Sequence, residues 1–153
     1  MKKYRAEIWG VVICLGLGML GAYATNTSDF AWYATLHKPS FNPPNWLFSP
    51  VWTVLYILMG IALGKIWRLR KQTSLPLVLF IIQLIFNILW SPLFFQLHRI
   101  DLALYNMCAL WLSLAMLLIT VRKHKTLFLL LLPYGLWVSF ALILNISLYY
   151  LNS

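Results

Sequence analysis

Five long stretches of this chain contain no Asp, Glu, Lys or Arg: residues 8–24, 47–63, 75–97, 102–121 and 127–151. Each is long enough to cross the hydrocarbon core of a bilayer, for which about 20 helical residues suffice. Inside lipid the backbone must satisfy its own hydrogen bonds, so each stretch is expected to be a helix. Hydrophobic residues make up 62% of the chain and charged ones 10%, which leaves little to clothe a soluble surface. The connections are short, so successive spans run antiparallel. The expectation is an all-α fold, one membrane bundle of five transmembrane helices over residues 1–153. Residues 1–25 superficially match a secretion signal. Trp9 and several glycines interrupt the apolar run, however, and no clear cleavage site follows, so retention is expected.

The net charge of +9 suggests nucleic acid until its distribution is followed. Lys2, Lys3 and Arg5 precede the first span. Lys65, Arg68, Arg70 and Lys71 lie between the second and third, and Arg122, Lys123 and Lys125 between the fourth and fifth. With five spans these three places share one side, leaving Lys38 and Arg99 on the other. A bias of ten against two predicts a cytoplasmic N-terminus and a C-terminus outside, in a multi-pass membrane protein. Basic clusters at a cytoplasmic leaflet attract anionic lipid headgroups, which accounts for the charge without nucleic acid.

Helix association in lipid relies on small residues that allow close approach. Gly10, Cys14, Gly18 and Ala22 form such a stripe in the first span, and Gly60 and Gly64 a GxxxG in the second. Packing within the bundle is favoured over a dimer seam. Cys14 and Cys108 lie in different spans and are expected to pack as small apolar groups. Gln83, Asn87 and Trp90 share one face of the third span. Asn145 follows Trp137 and Ala141 in the fifth, and Asn106 lies in the fourth. Amides are costly in hydrocarbon unless paired, so these faces should point inward, as interhelical glue or as the polar floor of a ligand pocket. Trp9, Trp46, Trp67 and Trp111 suit the membrane interface. No metal-ligand cluster and no carboxylate pair within a span is present. The spans hold no acid to couple protons to transport.

Residues 32–60, "WYATLHKPSFNPPNWLFSPVWTVLYILMG", resemble the signature of the TspO/MBR family, the tryptophan-rich sensory and translocator proteins. Residues 83–95, "QLIFNILWSPLFF", and 131–145, "LLPYGLWVSFALILN", resemble its third- and fifth-helix motifs. The resemblance implies a five-helix membrane bundle, often a homodimer. It also implies a pocket for tetrapyrroles such as protoporphyrin IX, with no further cofactor required. By motif position the family's ligand-binding residues fall on Trp32, Tyr33, Pro43, Pro44, Trp52, Asn87, Trp90, Trp137, Phe140 and Ala141. Phe41 stands where the family usually has Trp, and Asn106 where many members carry Asp. No basic residue follows Tyr149 or Tyr150, so the sterol motif of animal members is missing. Arg99, Tyr105 and Leu110 fit only the weak reversed pattern, so sterol is disfavoured as a partner.

The three prolines of residues 32–46 restrict that loop. A restricted aromatic loop loses less entropy when it closes over a ligand, and it is expected to form a lid above a cavity walled by Trp52, Trp90 and Trp137. The first functional expectation is a sensory or regulatory protein that binds tetrapyrrole. A second is light-dependent porphyrin degradation, with Trp52 and Trp137 as electron-rich catalytic side chains beside an excited ring. A third is transport of porphyrins or similar amphiphiles, which the absence of an ion site weakens.

Overall fold

A computed structural model describes residues 4–26 and 30–153. Lys2 and Lys3, counted above in the N-terminal basic cluster, lie outside the described residues. The chain forms α1 (Arg5–Asn26), α2 (Phe30–Thr35), α3 (Asn45–Leu69), α4 (Leu75–Ser91), a π-helical turn (Pro92–Gln96), α5 (Ile100–Val121) and α6 (Lys125–Leu151). Five helices, with α4 and the π-helical turn counted as one, are long and apolar enough to cross a membrane, in the order and number expected. At ~1.5 Å per residue, even a 22-residue helix such as α5 rises about 33 Å.

Proline punctuates the elements. Pro44 is extended, with φ −64° and ψ 143°, and immediately precedes α3. Pro76 sits in the first turn of α4, where its missing N–H costs nothing. Pro92 acts differently. It has no N–H to offer the Ile88 carbonyl, and beyond it the ladder widens. The Leu97 N–H donates to the Pro92 carbonyl at 3.0 Å, five residues back. His98, at φ +53°, then ends the helix.

The helices close into a ring in which α1 packs on α3, α3 on α6, α6 on α5, α5 on α4 and α4 back on α1. The α1–α4 pair is parallel, and Thr25 and Ser91 meet near their C-terminal ends, with the hydroxyl oxygens 3.3 Å apart. The α1–α3 pair is antiparallel and rests on glycine. A Cβ on Gly60 would strike the Val11 backbone, one on Gly64 the Glu7 backbone, and one on Gly10 the Gly60 carbonyl. The GxxxG is thus occupied within the chain, as favoured above, and a homodimer would have to use another face. Cys14 is fully buried beside this seam, and Cys108 is partly buried; both are free.

Three features depart from expectation, and a fourth, at Glu7, was not anticipated. Residues 30–35 form a short helix, so Trp32 and Tyr33 do not lie on an irregular loop. Helix α3 continues past residue 63, which puts Lys65 and Arg68 on its final turns. Glu7 lies in the first turn of α1, is buried, and pairs with Arg68. Trp111 sits midway along α5, away from either interface, with its indole N–H donating to the Ser139 hydroxyl at 2.9 Å. Trp9, Trp46 and Trp67, by contrast, are exposed near helix ends, as interface tryptophans should be.

If the glycine seam carries the α1–α3 contact, Gly64→Leu forces the backbones apart. Overpacking of this kind costs about 1–3 kcal/mol or more. Gly16, with open space around its Cβ position, is the matched control. Denaturant titration in detergent should show early unfolding for Gly64→Leu and near-parental behaviour for Gly16→Leu.

Candidate functional site

The polar residues of α4 meet partners from α3 and α6 at the centre of the bundle. The Tyr56 hydroxyl donates to Asn87 Oδ1 at 2.6 Å. Asn87 Nδ2 donates to the Tyr134 hydroxyl at 2.9 Å, and that hydroxyl donates to Gln83 Oε1 at 2.7 Å. Four side chains from three helices form one hydrogen-bonded chain. Gln83 and Tyr134 are fully buried, and Gln83 Nε2 has no partner. Trp52 covers this chain, its ring 5.5 Å from Tyr56 and 6.2 Å from Tyr134.

Above it lies a second polar contact, between α4 and α6. The Trp90 indole N–H donates to Asn145 Oδ1 at 2.8 Å. Asn145 is 1% exposed, and its Nδ2 has no partner. The Trp90 face stacks on Phe94 at 5.0 Å with 15° between the planes. The fourth inward amide, Asn106, donates to the Phe86 backbone carbonyl at 2.8 Å and serves as glue between α5 and α4.

The aromatic segment between α1 and α3 caps these layers. Trp32 stacks on His98 at 4.2 Å and meets the edge of Phe94 at 5.5 Å. Tyr33 contacts Phe94 and Phe95, and the Lys38 ammonium lies 4.4 Å from its ring centre. Burial raises the Tyr33 phenol above its ordinary pKa, with a hydrogen bond to Asn42 working against that rise. On the other flank Phe48 packs on Trp137 at 6.0 Å, Trp137 on Phe140 at 5.5 Å, and Phe41 on Phe140 at 6.3 Å. Pro43 is buried, Pro44 is exposed at the start of α3, and Ala141 is partly buried against the core.

The sequence-derived residues thus fall into three groups. Trp32, Tyr33 and Trp90 are joined through Phe94 and Phe95. Trp52 and Asn87 are joined through Tyr56 and Tyr134. Trp137 and Phe140 face Phe41 and Phe48. Each of the three tryptophans expected to wall a cavity makes its own ring contacts: Trp52 with Tyr56 and Tyr134, Trp90 with Phe94 and Phe95, and Trp137 with Phe48 and Phe140. A hollow of about 290 Å³ lies at the opposite end of the bundle, and one of about 390 Å³ lies beside the aromatic cap, lined by His98, the stacking partner of Trp32, and by Asn152. Sequence reasoning missed Phe94, Phe95, Phe48 and Tyr134. The proline of "SPLFF" was the available sign for the first two, and the three-residue spacing from Trp137 for Tyr134.

Asn152 also escaped it. Its side-chain amide clasps the His37 peptide: Oδ1 accepts from the His37 N–H at 2.9 Å and Nδ2 donates to the His37 carbonyl at 3.0 Å. The clasp ties the loop to the end of α6. Asn152→Ala removes both bonds, each worth about 0.5–1.5 kcal/mol net. Amide hydrogen exchange over residues 36–42 should then quicken by roughly tenfold, while exchange in the centres of α4 and α5 stays at the parental rate.

The chain matches the model of the TspO/MBR family over residues 10–151. It is 41% identical over 145 residues to "Tryptophan-rich protein TspO" of Chlorobaculum tepidum, covering 92% of this chain and 91% of that one. It is 40% identical over 144 residues to the protein of the same name from Archaeoglobus fulgidus, covering 94% of each chain. Against "Translocator protein" of Bos taurus the identity is 35% over 133 residues, covering 84% of this chain and 79% of the relative. A match across nearly the whole chain, on a five-helix bundle whose aromatic residues cluster at one end, identifies this protein as a member of the TspO/MBR family.

Proposed function

We propose that this protein binds a tetrapyrrole of the protoporphyrin IX type beneath the α1–α3 loop, and that it acts as a sensory or regulatory membrane protein. The observation that carries this reading is the pairing of flat aromatic faces with a buried amide donor that has no acceptor. Asn145 Nδ2 lies beside the Trp90 indole, under the ring cluster of Trp32, Phe94 and Phe95. A macrocycle bearing carboxylates offers both a large π-face and acceptors.

Entry requires the closed rings to part. A ligand inserted among them exchanges ring–ring contacts, worth about 0.5–1.5 kcal/mol each beyond area burial, for contacts with a larger face. Pro39, Pro43 and Pro44 limit the entropy that the displaced loop gains and must later lose. The loop then moves as a stiff unit about the Asn152 clasp. Lys38, held over Tyr33, stands near the mouth, where an ammonium can meet a propionate.

Titration of the purified protein with protoporphyrin IX, followed by tryptophan fluorescence, tests the reading. Trp52→Ala and Trp137→Ala should each weaken binding by roughly tenfold or more, since about 1.4 kcal/mol corresponds to tenfold. Lys38→Ala should weaken it less, with a loss that shrinks as salt is raised. Parental affinity in both tryptophan variants, with the fold intact, would place the ligand elsewhere.

We infer the orientation from the ten-to-two charge bias, which puts the N-terminus in the cytoplasm and the aromatic loop outside. A C-terminal fusion to a reporter active only outside the cytoplasm should be active. Activity from a cytoplasm-only reporter at the same position would reverse the assignment.

A further inference from the structure

At the end of the bundle remote from the aromatic loop, α3 finishes and α6 begins. Between them lies an open hollow of about 290 Å³ lined by Lys65, Arg68, Leu69, His124, Lys125, Thr126 and Leu127. Three of these side chains are cationic at neutral pH. Among the described residues the carboxylate at this end is Glu7, and it pairs with Arg68. No carboxylate of the described residues pairs with Lys65 or Lys125, so the hollow keeps a positive surplus.

The backbone adds to that surplus. His124 precedes α6 without a side-chain capping bond. The first-turn N–H groups of a 27-residue helix therefore point outward, carrying the positive end of its dipole. The floor is apolar, since Leu127 is 3% exposed and Leu69 packs against the core. The height of the hollow matters as well. It opens where two membrane-crossing helices end, with exposed Trp67 two residues from Lys65, so it sits at headgroup level.

We propose that this hollow is a binding site for the phosphodiester headgroup of an anionic phospholipid. Lys65 and Lys125 meet the phosphate, and Leu69 and Leu127 lie beneath the glycerol end. Its volume lies just under the ~300–1,000 Å³ range of small-molecule pockets, which suits a headgroup. The site is independent of the tetrapyrrole reading, because it lies at the other end of the helices.

The test is native mass spectrometry of the full chain released from nanodiscs of equal phosphatidylglycerol and phosphatidylcholine. The parent should retain one phosphatidylglycerol in preference to phosphatidylcholine. Lys65→Gln/Lys125→Gln should lose that retention by about tenfold or more, because each basic residue near the surface contributes on the order of 1 kcal/mol. Arg122→Gln/Lys123→Gln removes the same charge from the same end but leaves the hollow lining intact, and should keep it. Thermal unfolding of both variants establishes that they fold. Equal loss in the two variants would overturn the site in favour of diffuse surface charge. Displacement of the retained lipid by millimolar inorganic phosphate would overturn the lipid assignment in favour of a free-anion site. Equal retention of both lipids by the parent would also sink it.

Discussion

A polar group inside hydrocarbon has no water to turn to, so every amide and hydroxyl placed in these spans must find its partner within the chain. That demand explains the centre of the bundle better than packing alone does. Gln83 and Asn87, one turn apart on α4, are satisfied only if α3 delivers Tyr56 and α6 delivers Tyr134 at the same depth. The chain of bonds therefore fixes the rotation of three helices at once. The glycine seam does the same for α1, because the close approach at Gly60 and Gly64 tolerates neither rotation nor slip. With α1 set on α3, and α3 set on α4 and α6, the ring closes in one register.

Pro92 turns that bundle into a site. An uninterrupted α4 would carry residues 92–96 onward at 100° per residue. The missing N–H instead opens a π turn, and such turns recur where function needs an irregular surface. Here it presents Phe94 and Phe95 together, to Trp90 on one side and to Trp32 and Tyr33 on the other. His98, held in the left-handed region just beyond, gives Trp32 its stacking face. Local backbone irregularity thus positions the aromatic cap, and the apolar pattern of the span conceals it.

What the sequence made legible follows from this. The five spans could be read because lipid imposes one rule on every stretch. The shared face of Gln83, Asn87 and Trp90 could be read because helical periodicity is local and buried amides are rare. Helix α2 could not be. Six residues form no stable helix alone, and this one depends on packing against the π turn more than sixty residues away. The neighbouring prolines pointed instead to an irregular loop. The Asn152 clasp joins residues 115 apart through a backbone with no sequence signature. Glu7 precedes the first apolar stretch and carries no sign of its burial, which comes about because the glycine seam draws α1 close to α3 and Arg68 comes within reach. Trp111 was placed at the interface by residue type alone, whereas its depth along α5 and the Ser139 hydroxyl decide its place.

The two unpaired donors, Gln83 Nε2 and Asn145 Nδ2, sit at different levels and carry different meanings. Gln83 ends a chain whose other members are mutually satisfied, deep among core residues, so its free N–H is a cost that the fold carries. Leaving a buried donor unmatched costs about 1–3 kcal/mol, and the three bonds of the chain can offset it. Asn145 has no such chain. Its single bond is from Trp90, a side chain that also stacks on the cap. Any movement of the cap that shifts Trp90 therefore disturbs Asn145 as well. The polar contact and the aromatic stack are mechanically linked through one indole. A ligand that parts the rings and supplies an acceptor would pair the Asn145 Nδ2 donor, offsetting the loss of the Trp90 bond that Oδ1 accepts. A purely apolar ligand of the same size would leave the amide with neither its old partner nor a new one, a difference that favours an acceptor-bearing ligand in the proposed site.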